Sequence, residues 1–282
     1  MRNLGIDIGG TKISFVLLKN GKIAESWKTL TPKTKRALID IVKNNIPEET
    51  ERIGIGLPGP LNEKGDLVLN PPNLKALWNC PLAKIIERET GIKTKMENDV
   101  NCFTLGEALV GAGKGAETVL GITLGTGVGG GIVIDGRIYR GAFGAAGELG
   151  HMTIKFDGPR CSCSSFGCLE EYCSERFFLK KGGLPQKFYD DAEKGDKKAL
   201  KIYNEYGKYL GIGLANVINL LDPEVIVIGG GIANAYKLFV KEMEKEIRKR
   251  VISPVSKKYV KIKKAALNGL GGAVGAALLW QK

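Results

Sequence analysis

The chain is predicted to be an α/β protein made of two related halves. Three observations carry this. Strand-like runs alternate with helical segments along the 282 residues, a strand–glycine turn–strand unit occurs twice, and a later strand stops on three glycines before a helix.

Residues 4–8 read as a buried strand, Gly9-Gly10-Thr11-Lys12 as a turn, and 13–18 as the return strand. Asn20-Gly21 then closes a hairpin before 22–28, because this dipeptide supplies the positive φ that a tight hairpin needs. Residues 52–56 form a short strand running into Leu57-Pro58-Gly59-Pro60. Helical spacing covers 81–90, with Gly91 where a C-cap belongs. A strand at 94–97 leads into Asn98-Asp99, and a helix continues through Val110. The opening pattern then returns: strand 121–124, turn Gly125-Thr126-Gly127, strand 129–134, hairpin turn Asp135-Gly136. Aligning Gly5–Gly9 with Gly121–Gly125 carries the match through both hairpins with a one-residue slip, as an internal duplication would. A cysteine-bearing irregular loop follows, then helical sequence to about residue 221. Strand 223–228 ends on Gly229-Gly230-Gly231 and precedes a helix to 250. The stretch 269–279 is rich in small residues and helical, suited to close packing.

Composition narrows the function classes. A hydrophobic fraction of 43% is that of a globular chain. The net charge of +12 is spread out and interleaved with Glu, as in 241–250, so it reads as solvated helix faces rather than a nucleic-acid surface. No stretch has the 18 consecutive apolar residues of a membrane span, and no signal peptide opens the chain, so a cytoplasmic protein is expected. Its six cysteines are then expected to be reduced, and close sets of them to bind metal rather than form disulfides.

Several groups can carry chemistry. Gly9-Gly10-Thr11 and Gly125-Thr126-Gly127 each offer backbone N–H groups and a hydroxyl to a polyphosphate, without side-chain obstruction. Asp7 can hold Mg²⁺ through water and Lys12 can add positive charge. Taken alone either turn is only a turn; as a related pair they point to ATP. Neither is a P-loop. Gly229-Gly230-Gly231 suits the adenosine, since ligands of open α/β sheets sit at the carboxyl ends of strands; a tight β-to-α turn would look the same. His151, the chain's one histidine, with Cys161, Cys163 and Cys168, makes a closed tetrahedral zinc set, with Cys173 as a substitute ligand and Cys80 and Cys102 as core residues. Asp99 follows a strand and opens a helix, so it can project into a site and take a proton from an acceptor hydroxyl. Asn98, Glu148 and Glu170 add groups that hydrogen-bond a polyhydroxyl ligand, although each acid taken singly reads as a surface acid.

These residues resemble the ROK family (repressors, open reading frames and kinases), and within it the glucokinase-like enzymes. The resemblance runs over nearly the whole chain. It rests on Asp7-Ile8-Gly9-Gly10-Thr11-Lys12, on the stretch from Leu120 through Gly125-Thr126-Gly127-Val128-Gly129 to Gly147-Glu148-Leu149-Gly150-His151, and on the run from Cys161 to Glu170. It implies an actin-like ATPase (ribonuclease H-like) duplicated fold of two α/β domains with a cleft, expected here as 1–107 with 268–282, a smaller domain, and 108–267, a larger one with the zinc loop. It also implies sugar contacts from Asn98, Asp99, Glu148, His151 and Glu170, with Asp99 as base and His151 serving both zinc and sugar. Many relatives have glycines where this chain has Ser162 and Ser164-Ser165, which touches the loop conformation more than the metal.

The implied activity is transfer of the ATP γ-phosphoryl group to O6 of glucose or a related hexose. The alternatives are an N-acetylmannosamine or N-acetylglucosamine kinase and, from a different class, a non-catalytic sugar-sensing regulator. Repressors of the family carry a helix-turn-helix segment before the first phosphate motif, and Asp7 is the seventh residue here, which favours the kinase. A homodimer or homotetramer is expected from the family.

Overall fold

The computed structural model describes residues 1–62, 64–69, 71 and 74–281. By its own contacts the chain divides into two units, Met1–Glu117 with Gly131–Ala146 and Ala265–Lys282, and Thr118–Gly130 with Gly147–Lys264.

The first unit is built on a five-stranded sheet. β1 (Arg2–Ile8), β2 (Lys12–Lys19) and β3 (Lys22–Leu30) run as an antiparallel meander. β4 (Arg52–Leu57) and β5 (Lys93–Asn98) add in parallel on the other side of β1, giving the order β3-β2-β1-β4-β5. β1, β2 and β4 are apolar runs because nearly every residue in them is buried; β3, at the edge, alternates in charge and lies mostly exposed. Asn20 and Gly21 take φ of 52° and 76°, the mirror-image turn expected of the dipeptide. α1 (Lys35–Asn44) starts at Thr34, whose side chain accepts from the Ala37 N–H, and α2 (Leu82–Thr90) ends on Gly91 at φ 73°.

α3 (Asp99–Val110) and the last helix of the chain complete this unit. That helix, Gly271–Leu278, has all eight residues buried. It lies backbone against backbone between the sheet and α3: a Cβ on Gly54 of β4 would fall 1.8 Å from the Ala276 carbonyl oxygen, and one on Gly275 would fall 1.7 Å from that of Cys102. Only hydrogen fits at either position. The approach to this helix is anchored by Glu107 of α3, which is 1% exposed and accepts from the N–H groups of Ala112, Ala266 and Leu267 at 2.8–3.1 Å.

The second sheet has β6 (Thr118–Leu124), β7 (Val128–Ile134), β8 (Arg137–Ile138), β9 (Val225–Gly229) and β10 (Lys261–Lys264) in the order β10-β9-β6-β7-β8. Read from the other end, this is the order of the first sheet, with β9 and β10 parallel to β6 as β4 and β5 are to β1. Asp135 and Gly136 repeat the φ values of Asn20 and Gly21 at 51° and 70°. The duplication seen in the glycine turns therefore extends to the whole strand order.

The helices of the second unit are α4 (Leu169–Cys173), α5 (Glu175–Lys180), α6 (Pro185–Glu193), α7 (Lys197–Leu221), α8 (Tyr236–Arg250) and α9 (Pro254–Tyr259), so the C-terminal helix Gly271–Leu278 is α10. α7 packs along α8, and Phe177, Phe178, Tyr203, Tyr206 and Phe239 form a ring cluster beside it. Tyr206 is fully buried and its hydroxyl donates to the Cys173 carbonyl at 2.8 Å, so the core keeps no unpaired phenol there.

The division differs from the expected 1–107 with 268–282 and 108–267. Gly131–Ala146 associates with the first unit, which becomes the longer of the two. Two contacts explain this. A Cβ on Gly131 would lie 2.4 Å from Thr104 Oγ1 on α3, and Arg140 is ion-paired with Glu97 on β5. Among the described residues no helix is long and apolar enough to cross a membrane.

Candidate functional site

In the first unit the parallel strands deliver their last residues to one edge. Register places Asp7 of β1 opposite Gly56 of β4, and Gly56 opposite Glu97 of β5, with Asn98 next along. Asn98 caps α3: its Oδ1 accepts from the N–H groups of Val100 at 2.9 Å and Asn101 at 3.1 Å, and its Nδ2 donates to the Gly59 carbonyl at 3.3 Å. Asp99 is thereby held as the first residue of the helix, with its own carboxylate accepting from the Val100 N–H at 2.9 Å. Gly56 makes room, since a Cβ there would meet Cys102 Sγ at 3.3 Å and Asp99 Cα at 3.7 Å.

Two acids share this edge. Partial burial and then the negative charge of Asp99 push the Asp7 carboxyl up from 3.8 to about 7, with Lys28 pulling the other way. Burial pushes Asp99 up to about 6, offset by the backbone N–H groups it accepts from. Like charges in partial burial are uncomfortable together; a cation between or beside them, or a task for one of them as a base, resolves the conflict. The glycine turn follows Asp7. Gly9 N–H donates to the Lys12 carbonyl, Thr31, just past the end of β3, donates to the Gly9 and Thr11 carbonyls, and Gly10, Thr11 and Lys12 are exposed.

The second unit repeats the turn one residue shorter. Gly125 N–H donates to the Gly127 carbonyl at 3.0 Å and Thr126 is exposed. The Gly125 carbonyl accepts from the Glu175 N–H at 2.8 Å, which fixes the turn to the start of α5. Gly230, at φ 86°, sits against the end of β6, where a Cβ would fall 2.3 Å from the Leu124 carbonyl oxygen. The structure thus brings Gly229-Gly230-Gly231 beside Gly125-Thr126-Gly127. A short 3-10 turn, Gly231–Ala235, separates these glycines from α8, where the sequence predicted a direct entry into the helix.

Glu170, on α4, touches the same turn. It is 8% exposed, and its Oε2 accepts from the Val128 N–H at 3.1 Å while lying 2.7 Å from where a Gly127 Cβ would be. Glu148 is two-thirds exposed and its carboxylate faces His151 Nε2 at 3.9 Å.

The other face of the imidazole meets the cysteines. One ligand atom from each of His151, Cys161, Cys163 and Cys168 lies within 4.8 Å of the others. Cys163 and Cys168 have their sulfurs 3.6 Å apart, and Cys161 Sγ is 3.8 Å from His151 Nδ1. A tetrahedron with metal–sulfur bonds of about 2.3 Å has edges of about 3.8 Å, so donor set and spacing fit zinc. Burial and its sulfur neighbours push the Cys168 thiol up. Cys173 is fully buried at the end of α4 and is not in this group. Ser164 sits at φ 74°, a left-handed conformation that side-chain-bearing residues other than Asn and Asp rarely adopt.

Sequence reasoning missed Glu97 and Arg140. Glu97 is 3% exposed and accepts from Arg140 Nε at 2.6 Å. Its place just before Asn98-Asp99 was a usable signal; Arg140 lies 43 positions away and had none.

A model described as "ROK family" matches residues 3–282. The chain is 32% identical over 281 residues to a glucokinase of Thermotoga maritima, covering 88% of this chain and 87% of that one. It is 33% identical over 303 residues to an N-acetyl-D-glucosamine kinase of Vibrio cholerae, covering 98% of each. It is 31% identical over 276 residues to a xylose repressor of Bacillus subtilis, covering 91% of this chain and 71% of the repressor. Among solved structures, a ROK hexokinase from Thermus thermophilus is similar with TM-score 0.88 at 31% identity, over 99% of this chain and 97% of that one. A ROK family glucokinase from Streptomyces griseus, in complex with glucose and AMPPNP, has TM-score 0.83 at 32% identity over 99% of each.

Proposed function

The chain belongs to the ROK family, and from that membership and the geometry of the two units we propose that it is an ATP-dependent sugar kinase acting on O6 of glucose or a related hexose. The observation that carries the reading is Asp99: a carboxylate fixed on a helix start at the carboxyl ends of parallel strands, next to Asp7 and raised to about 6. In the proposed reaction the sugar hydroxyl attacks the γ-phosphorus of ATP, Asp99 takes the hydroxyl proton, and the bond to the β-phosphate oxygen breaks to release ADP. Asn98, Glu148, His151 and Glu170 bind the sugar hydroxyls. The turns at Gly9–Lys12 and Gly125–Gly127 bind the phosphates, and Gly229–Gly231 the adenosine.

Asp7 fits a Mg²⁺ partner, because a divalent cation removes the repulsion between Asp7 and Asp99 and neutralises charge on the phosphates. Zinc held by His151, Cys161, Cys163 and Cys168 would fix the imidazole, leaving Nε2, which lies 3.9 Å from the Glu148 carboxylate, to serve the sugar. Elemental analysis is expected to find about one zinc per chain. Cys163→Ala should lower both thermal stability and sugar affinity; a fall in stability alone would remove the positioning role of His151.

Gly125 offers a sharper check on ATP binding. A Cβ there meets nothing within 4 Å, so Gly125→Ala is expected to fold normally. The KM for ATP should rise about tenfold or more if the phosphates approach this turn closely. An unchanged ATP KM would move the phosphates elsewhere.

An N-acetylhexosamine kinase is the second reading, favoured by the full-length likeness to the Vibrio cholerae enzyme. A coupled assay across glucose, mannose, fructose, glucosamine, N-acetylglucosamine and N-acetylmannosamine decides between them; no turnover on any would sink the kinase reading and leave a sugar-sensing regulator. The reading places the reaction in the cytoplasm, with a homodimer or homotetramer as the working assembly, to be checked by sedimentation.

A further inference from the structure

Glu97 and Arg140 have no part in the roles assigned above, yet the side-chain bonds between and around them converge on the junction that holds Asp99. Glu97 is almost fully buried and both its oxygens are engaged. Oε2 accepts from the Arg140 guanidinium through Nε at 2.6 Å and through a second nitrogen. Oε1 accepts from the Asn98 N–H at 2.9 Å and from Asn101 Nδ2 at 3.0 Å. Those last two bonds fall on either side of Asp99. One sets the backbone of the residue before it and the other a side chain two residues beyond it. Asn98, so fixed, spends its own side chain on capping α3 and on the Gly59 carbonyl.

The exposures of the two partners are unequal. The Glu97 side chain is 5% exposed, the Arg140 side chain 54%. A surface ion pair of ordinary type would contribute little. Here the carboxylate is out of water and Arg140 is its one ion-pair partner among the described residues, so the arginine holds Glu97 in place. The segment that brings Arg140 is itself held: the Arg140 carbonyl accepts from the Ala146 N–H at 3.0 Å.

We propose that Glu97 and Arg140 are a positioning pair for phosphoryl transfer: through the Asn98 N–H and the Asn101 amide they set where the Asp99 carboxylate stands, without touching substrate. The inference rests on the reading of Asp99 as the base. Positioning of a reacting group is steep in distance, and a displacement of about 1 Å costs on the order of 100-fold in rate.

The test compares Arg140→Ala, Arg140→Lys and Glu97→Gln with Asp99→Asn, all in the full chain with MgATP and the preferred sugar. Arg140→Ala is expected to lower kcat about 10- to 100-fold and to raise the sugar KM through Asn98, leaving the ATP KM within about twofold. Arg140→Lys and added guanidinium ion should each restore part of the lost kcat, because both return a cation to Glu97. Amide exchange at Asn98, Val100 and Asn101 should quicken in Arg140→Ala. The double variant Glu97→Gln/Arg140→Ala should be no slower than the worse single one, since the two act as a unit.

Wild-type kcat in Arg140→Ala, with only a lower melting temperature, would reduce the pair to a structural ion pair. Should Arg140→Ala fail to accumulate, Glu97→Gln, which keeps the shape but removes the charge that holds Arg140, carries the same comparison, and wild-type kcat there overturns the inference equally. Undiminished turnover in Asp99→Asn removes the base reading itself; an inactive Asp99→Asn beside an unaffected Arg140→Ala removes the positioning inference alone.

Discussion

Asp99→Asn is expected to lower kcat by about 10²- to 10⁴-fold, the range associated with loss of a positioned general base, while sugar binding measured by calorimetry stays within a few-fold. The same carboxyl sets a pH limb. It must be ionised to take the hydroxyl proton, so kcat/KM of the parent protein should fall as pH drops through about 6 and level off above it. Stability should move in the opposite sense. The folded carboxyl is raised from 3.8 to about 6, so the fold favours the protonated form. That contribution is complete below about pH 4 and is lost as pH rises through about 6. Asparagine imitates the protonated form at every pH. At pH 8, without ligands, Asp99→Asn should therefore melt several degrees higher than the parent, a gain of about 1–3 kcal/mol, and near pH 4 the two should coincide. Scanning calorimetry at the two pH values, beside a coupled assay, reads both halves. An inactive variant with no gain at pH 8 would mean that Asp99 is not the strained carboxylate described above, and full activity would end its role as base.

The second large effect is structural. Gly275→Ala should prevent the first unit from folding. Its Cβ would need to occupy a point 1.7 Å from the Cys102 carbonyl oxygen, and α10 has no free side to retreat to, because the sheet holds it just as closely at Gly54. Overpacking of side chains costs about 1–3 kcal/mol. A clash between two backbones cannot be relieved by rotamer changes and should exceed that range. The expected result is loss of soluble protein, or of cooperative melting, where Gly125→Ala folds. A soluble Gly275→Ala enzyme melting within a degree or two of the parent would show that α10 can shift away from α3.

How far these features were legible in the sequence depends on how local their causes are. The two hairpins, the glycine turns and the Gly91 cap were readable because each is fixed by a few adjacent residues, and the structure places all of them where the sequence put them. The Cys/His group was readable from spacing, since three of its members lie within eight positions. α1, α9 and β10 were passed over. β10 reads Lys-Ile-Lys-Lys, too short and too charged to show a strand pattern, and it becomes a strand by pairing with β9. The place of Gly131–Ala146 in the first unit was not legible at all. It depends on an ion pair spanning 43 positions and on a glycine fitted to α3, neither of which leaves a periodic trace. Small residues in α10 signalled close packing but not its partner, because a helix buried all round has no polar face to orient it.

The close fit of α10 has a consequence for how the protein is made. α3 and α10 leave the ribosome about 160 residues apart, with the polypeptide of the second unit emitted between them. At a synthesis rate of about 5–20 residues per second, the first sheet waits roughly ten to thirty seconds for the helix that covers it. During that interval the groove at Gly54 and Cys102 stands bare on the nascent chain. A ribosome stalled after Lys264 would therefore display a protein with its second unit emerging and its first unit still open, a natural client for chaperones and a natural target for proteolysis.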